Sequence, residues 1–291
     1  PPLPQRVVVV EVEAVAVPPP LPLRSRNQTC DDFEDLPIRW QVLSLIGISM
    51  EKKILLFSGG FDSMLQEWLI RPDLLLYVDM KTSYAEREIE ALKRLPPYYV
   101  DRLKVIEFPL GEYERENKYL PYRNLILGTL AMQYGQHVYF GFNEADNAPD
   151  KDDVFIRRLT TLFRHLNKHC IGDMGWENTH FSFSAPYKHL TKTEMVTECL
   201  KQGMPVDWIQ KIRSCYDSAS EIGCGVCRPC LNRGIALINN GIYEPELFDT
   251  PIDEVRLWNL MKETASYDGG DYSAKYYADI KKAHRLLRQR G

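Results

Sequence analysis

Residues 58–63 read Ser-Gly-Gly-Phe-Asp-Ser and follow the apolar run Ile54–Phe57 without a break. Two glycines after a buried strand let the backbone turn tightly and bring N–H groups close to an anion. A helix starting there adds partial positive charge at its N-terminus. Ser58 and Ser63 can donate hydroxyls to phosphate oxygens, with Gly59, Gly60 and Phe61 supplying backbone. Asp62 repels a phosphate, so its expected work is to orient the loop or to hold Mg²⁺. The lysine-bearing GxxxxGK[ST] loop and the GxGxxG fingerprint are both absent here.

A second cluster lies some 150 residues later. Cys215, Cys224, Cys227 and Cys230 are spaced C-x8-C-x2-C-x2-C, with Gly225 inside the tight turn. In a reducing compartment such crowding points to a metal site and not to disulfides. Four thiolates with no histidine and no open position suit a closed, structural Zn²⁺ site. Free or redox thiols and an iron–sulfur cluster are the alternatives on ligand type alone. Cys30, Cys170 and Cys199 stand apart and read as small buried apolar residues.

The elements that must position these groups alternate. Strands are expected at 54–57, 74–80, 104–109, 137–143 and 179–185. Helices are expected from Ser63 to Ile70 and over 83–95, 123–134, 152–167 and 191–202, the last ended by Gly203. In the 83–95 helix, Glu86, Glu88, Glu90 and Lys93 form the polar residues. The strand runs are short, continuous and apolar, which predicts an α/β fold with a doubly wound parallel sheet covered on both faces. In such sheets ligands sit beyond the carboxyl ends of the strands, where the glycine turn falls. Residues 241–291 read as a helical C-terminal extension containing the loop "SYDGGDY".

Residues 1–49 differ from the remainder. They hold eight of the nineteen prolines and no lysine, and "VPPPLPL" suits a polyproline segment. They are expected to lie outside the working fold, as an upstream extension, a fusion remnant or a mis-assigned start, or else to form an interaction arm. The expected division is 1–49, an α/β domain over 50–205, a metal-binding segment over 206–240 and the extension over 241–291. The chain has 291 residues, 44% hydrophobic and 26% charged, with net charge −4. That balance argues against non-specific nucleic-acid or membrane-surface binding, which needs a basic face, though not against a nucleotide held at one locally basic site. No apolar run reaches the roughly 18–20 residues of a membrane span and no signal-peptide pattern opens the sequence, so a cytoplasmic location is expected.

The glycine turn and cysteine cluster together resemble the QueC (7-cyano-7-deazaguanine, or preQ0, synthase) family of PP-loop N-type ATP pyrophosphatases. The likeness spans about residues 52–238. It is carried by "SGGFDS" at 58–63, "LPYRN" at 120–124, "GFNEADNAPD" at 141–150, "APYKHLTKTEM" at 185–195 and "SCYDSASEIGCGVCRPCLNRGIAL" at 214–237. The resemblance implies an adenine-nucleotide hydrolase-like fold, ATP with Mg²⁺ as cofactors and a structural Zn²⁺. It implies adenylation of the carboxylate of 7-carboxy-7-deazaguanine, amide formation with ammonia, and a second activation that leaves the nitrile. The loop 58–63 and Asp79 would meet the nucleotide. Arg123 and Lys192, with Ser63, would meet the developing phosphate charge, and Asp62 would orient the loop or hold Mg²⁺. Asn124, Asn143, Asp146 and Asp150 would read the deazaguanine edge. A homodimer is implied as a possible partner arrangement.

The chain departs from that family where Asp79 is followed by Met80-Lys81-Thr82-Ser83 in place of Tyr-Gly-Gln-Arg-His. It departs again where Ala148-Pro149-Asp150-Lys151-Asp152 replaces Tyr-Pro-Asp-Cys-Arg, and in its C-terminal length. Adenylation is therefore better supported than the identity of the acceptor. One alternative is an antiphage-defence enzyme of the type IV CBASS kind, joining a deazaguanine to an amine on a protein acceptor. Another is a non-catalytic nucleotide-binding module.

Overall fold

The computed structural model describes residues 52–146, 148–167, 181–215, 220–265 and 273–289. The expectations for residues 1–49, for Cys30 and Cys170, and for the loop 266–272 fall outside them.

Five strands form one parallel sheet: β1 (Lys53–Leu56), β2 (Leu74–Asp79), β3 (Leu103–Glu107), β4 (His137–Tyr139) and β5 (Ser182–Ser184). Their order is β3-β2-β1-β4-β5, with Ile54 opposite both Leu74 and Val138. Because side chains alternate across a strand, neighbours go to opposite faces. Leu55, Leu75 and Tyr77 enter one core with Leu65, Met195 and Leu237, whereas Ile54, Leu76 and Val138 enter another with Met132, Leu159 and Phe183. Strands buried on both faces need the near-continuous apolar runs that the sequence shows.

The helices are α1 (Phe61–Ile70), α2 (Ala85–Lys93), the short α3 (Pro97–Val100), α4 (Arg123–Ala131), α5 (Asp153–Asn167), α6 (Lys192–Lys201), α7 (Val206–Lys211), α8 (Arg228–Asn239), α9 (Glu254–Ala265) and α10 (Ala274–Arg288). The α6 boundary follows from its residues. The Thr191 hydroxyl accepts from the Glu194 N–H at 3.2 Å while Glu194 accepts from the Thr191 N–H at 2.8 Å. Gly203 ends the helix with φ +81°. Such a capping box contributes about 1 kcal/mol.

Two expected boundaries are corrected. The fourth strand ends at Tyr139; the Phe140 N–H still donates to Ser184 O at 2.9 Å, Phe140 and Phe142 stay in the core, and Asn143 reaches the crevice. The first helix starts at Phe61, two residues early, because Gly60 is extended (φ −77°, ψ 172°) and serves as its N-cap. No helix among the described residues is long and apolar enough to cross a membrane.

Candidate active site and metal centre

Chain order reverses at β1. The chain winds outward through β2 and β3, then returns to place β4 on the other side of β1. The crevice at that reversal is where open α/β sheets take ligands. It is walled by the turn after β1, residues 57–60, and by the loop after β4.

Gly59 carries φ +72°, a conformation that side chains other than glycine rarely adopt, and a Cβ there would stand 3.0 Å from Leu92. The Gly60 N–H points back to Ser58 Oγ at 3.4 Å, and Ser63 Oγ donates to Gly60 O at 3.0 Å. No side chain caps α1. Its first N–H groups are thus presented to the crevice, as helix N-termini present them.

Asp62 is the hub of this end. Both of its carboxylate oxygens accept from the Lys192 ammonium, and Oδ2 also accepts from Asn143 Nδ2 at 3.2 Å. Three elements far apart in sequence, α1, the post-β4 loop and α6, therefore converge on one carboxylate. Gln66 Nε2 donates to Phe142 O at 3.0 Å and ties α1 to that loop from below. Asn143 N–H donates to Asp146 Oδ2 at 3.0 Å, and the Lys151 ammonium closes on the other Asp146 oxygen. Asp150 Oδ2 accepts from Asn124 Nδ2 at 2.9 Å, which joins the loop to α4.

Arg123 opens α4, and its guanidinium donates to Tyr84 Oη at 2.8 Å. Asp79, at the end of β2, is 2% exposed and already partnered: it accepts from the Lys81 N–H at 2.9 Å and from the Lys81 ammonium. The residues that follow Asp79 thus fold back onto it.

Glu88, one of the polar residues of α2, turns inward and accepts from Tyr77 Oη at 3.0 Å. Burial pushes the Glu88 carboxyl up to about 7, against the Tyr77 hydrogen bond and the nearby Arg123 charge, which favour the anion. Burial likewise raises Tyr77, so it stays a donor. Tyr84 and Glu88 were missed by the sequence reading. The available signal was their i,i+4 spacing, which stacks both on one helical face.

The four cysteines meet as expected. All four Sγ atoms lie within 4.8 Å of one another. Cys215 and Cys227 are 3.8 Å apart and Cys224 and Cys230 are 4.0 Å apart, sulfur to sulfur. A tetrahedron with Zn–S bonds of 2.3 Å has edges of about 3.8 Å. The donor set can therefore hold a metal ion. Cys224 Sγ accepts from Cys227 N–H at 3.3 Å and Val226 N–H at 3.5 Å, and Cys215 Sγ accepts from Cys224 N–H at 3.4 Å. Gly225 has φ +74°, and a Cβ there would fall 1.7 Å from Thr250 O, so the knuckle admits only glycine. The Arg233 side chain, 2% exposed, donates to Ile222 O at 2.9 Å and to Gln210 O. Cys199 lies elsewhere, buried against Leu65, and burial pushes its thiol up to about 12, as suits an inert core residue.

Residues 99–241 match the family model described as "Queuosine biosynthesis protein QueC". That match begins after the glycine turn, which therefore rests on its own residues and geometry. Among curated proteins the chain is similar to "7-cyano-7-deazaguanine synthase" of Rhizorhabdus wittichii, 26% identical over 229 residues, covering 68% of this chain and 95% of that protein. It is 28% identical over 228 residues to the protein of the same name from Citrifermentans bemidjiense, with 67% and 97% covered. It is also 28% identical over 239 residues to "7-cyano-7-deazaguanine synthase 2" of Sulfurisphaera tokodaii, with 70% and 49% covered. Together with the parallel sheet and the four-cysteine cluster, these matches support a QueC-like family for the chain.

Proposed function

We propose that this chain is an ATP-dependent, AMP-forming ligase of the 7-cyano-7-deazaguanine synthase type. The observation that carries the reading is Asp62, held by Lys192 and Asn143 beside the Ser-Gly-Gly turn at the sheet's reversal. A carboxylate is a poor acyl donor because its leaving group would be oxide. In the proposed first step a carboxylate oxygen of 7-carboxy-7-deazaguanine attacks the α-phosphorus of ATP. The bond to the β-phosphate oxygen breaks and pyrophosphate leaves. Ammonia then attacks the acyl carbon, gives up a proton, and AMP leaves to yield the amide. A second ATP activates the amide oxygen in the same way, and loss of AMP and two protons leaves the nitrile.

The protein's contribution is placement and charge. The N–H groups that open α1 and the Ser58 hydroxyl would meet the phosphates, and the Ser63 hydroxyl would have to turn from Gly60 O to join them. Lys192 and Arg123 are the cations for the charge that develops on them. Asp62 is the carboxylate at hand for the Mg²⁺ that travels with ATP, and that metal would take over from Lys192 as its partner. Asn124, Asn143, Asp146 and Asp150 form a polar wall suited to a purine-like edge. The four cysteines would hold Zn²⁺ as a structural ion.

A second reading keeps the adenylation but transfers the acyl group to an amine on a protein, as in antiphage conjugation. It is favoured by the replacement of the residues after Asp79, where Lys81 now occupies the carboxylate. One assay separates these readings. Protein, ATP, Mg²⁺, 7-carboxy-7-deazaguanine and ammonium are mixed, and AMP and the nucleobase are followed by mass spectrometry. A nitrile product is expected from the first reading. AMP without nitrile, with a mass gain on a partner protein, belongs to the second. Asp62→Ala should abolish AMP formation while leaving the unfolding temperature within a few degrees. Absence of AMP from the parent protein would leave a nucleotide-binding module.

A further inference from the structure

The segment after β2 is where the sequence departs from the QueC pattern, yet its polar side chains are engaged one after another. Lys81 closes on Asp79 and reaches Glu107 at 3.1 Å. Ser83 is pinned to the loop after β3: its N–H donates to Glu114 Oε2 at 2.7 Å and its hydroxyl to Glu114 Oε1 at 3.2 Å. The next residue, Tyr84, is the N-cap of α2, and its Oη accepts from Arg123 Nη1 at 2.8 Å. Among the described residues this is the one hydrogen bond that the Arg123 side chain makes. No carboxylate among them stands within ion-pair distance of it, and Glu88 and Asp150 act on it at longer range. Arg123 adjoins Asn124, which binds Asp150 of the post-β4 loop and so sets this end of α4 beside the crevice. The far end of α2 meets the glycine turn: a Cβ on Gly59 would stand 3.0 Å from Leu92 and 3.8 Å from Ala91. Tyr84, Glu88 and Leu92 are four residues apart and share one face of the helix. One helix face therefore ties Arg123 to the turn after β1.

We propose that Tyr84 is the positioning residue of Arg123: its phenol oxygen holds the guanidinium beside the crevice, and the Ser83–Glu114 contact fixes the turn that carries it. The chemistry of the partner is the reason. An arginine side chain carries about 2 kcal/mol of rotamer entropy, so an unheld guanidinium is spread over many positions. A carboxylate would hold it and also cancel its charge. A phenol oxygen accepts one N–H, keeps the charge, and leaves the other donors of the planar fork for a phosphate. Glu88 is arranged consistently with this: it is turned to Tyr77, and burial that lifts its carboxyl to about 7 weakens it as a competing anion. The segment after β2 is thus rebuilt around Arg123.

The inference deepens the adenylation reading and rests on it for the kinetic test, but not for the geometric one. In the full-length protein, Tyr84→Phe keeps the ring and removes the oxygen. It should lower kcat for AMP formation by about tenfold, with KM for ATP within about twofold, as expected for a misplaced group. In an Arg123→Met background the same change should cost less than about twofold more, because Tyr84 acts through Arg123. An equal loss in both backgrounds would mean a merely structural role and overturns the proposal. Independently of turnover, modification of Arg123 by phenylglyoxal, read by peptide mass spectrometry, should be several-fold faster in Tyr84→Phe than in the parent. Glu114→Ala loosens the turn from outside and should move both readouts the same way by less, so it carries the comparison if Tyr84→Phe does not fold. Unchanged modification of Arg123 in the folded variants overturns the proposal, whatever happens to turnover. Faster modification in variants of a parent that forms no AMP supports the placement of Arg123 by Tyr84 and sinks the adenylation reading instead.

Discussion

At the scale of single residues, Glu88 makes a claim that can be measured by titration. Its carboxyl is raised to about 7 by burial, from an ordinary value near 4.5. Between those two pH values the folded protein keeps a proton that the unfolded chain has lost. Stability contributed by this group is therefore whole below about pH 4.5 and is lost as pH rises toward 7. The upper bound is on the order of 3 kcal/mol, from about 1.4 kcal/mol per pKa unit, and partial exposure reduces it. Glu88→Gln keeps an oxygen to accept from Tyr77 and removes the titration. The variant should be the more stable protein at pH 8, equal to the parent near pH 4.5, and flatter between, as read by urea unfolding at a series of pH values. An identical pH profile in the two proteins would mean that Glu88 is ionised and solvated throughout.

The residue scale also shows what a sequence can and cannot disclose. The glycine turn and the four cysteines were legible because their chemistry is local: a few residues of fixed type at fixed spacing. Cys199 was legible too, as a lone apolar-like thiol. The partnership of Asp62 with Lys192 spans 130 positions, and nothing in either neighbourhood announces it. Glu88 looked like any charge on an amphipathic helix. Only the tyrosine on the adjacent strand makes it an inward-facing group, and that is a tertiary fact.

At the scale of elements, the strands were read from apolar runs and the helices from periodicity, and both were found nearly in place. Their ends moved where tertiary demands intervened. Phe140–Asn143 could have continued a strand, but β4 stops at Tyr139 so that Asn143 can turn toward Asp62. The metal knuckle is an element with a mechanical consequence. Cys227 is the N-cap of α8, whose far end meets α6: Asn240 Nδ2 donates to Thr193 O at 3.1 Å, and Thr197 Oγ1 donates to Asn240 at 2.7 Å. Loss of the metal should therefore reach Lys192 through α8 and α6. Cys227→Ser is expected to release the bound ion, to lower the unfolding temperature by several degrees or more, and to reduce AMP formation in proportion to the metal lost. Metal content by elemental analysis, alongside unfolding and turnover, checks this. A variant that keeps its ion and its unfolding temperature would remove the structural role from the cluster.

At the scale of the whole molecule, the family segment ends at residue 241, but the core does not. Leu257 and Ile280 are fully buried, Leu260 is 1% exposed and Phe248 and Ile252 are 3% exposed, all in one cluster with Leu55, Met195 and Leu237 of the sheet domain. The chain after 241 also covers the metal knuckle. Asp249 N–H donates to Gly223 O at 2.9 Å, and Thr250 and Ile252 press against Gly225 and Gly234 so closely that neither glycine has room for a Cβ. Burying one large apolar side chain contributes about 1.5–3 kcal/mol. Five of them together reach on the order of 10 kcal/mol, which is as large as the whole stability of an ordinary domain. Ending the chain at Gly241 should thus leave a protein that is insoluble or unfolds without a cooperative transition, although it keeps every residue of the glycine turn and all four cysteines. Expression of residues 1–241 beside the full chain, with soluble yield and thermal unfolding measured for both, decides the matter. A soluble 1–241 protein unfolding within a few degrees of the parent would show that the extension is an appendage on the family fold. The buried contacts predict that it is a part of the core.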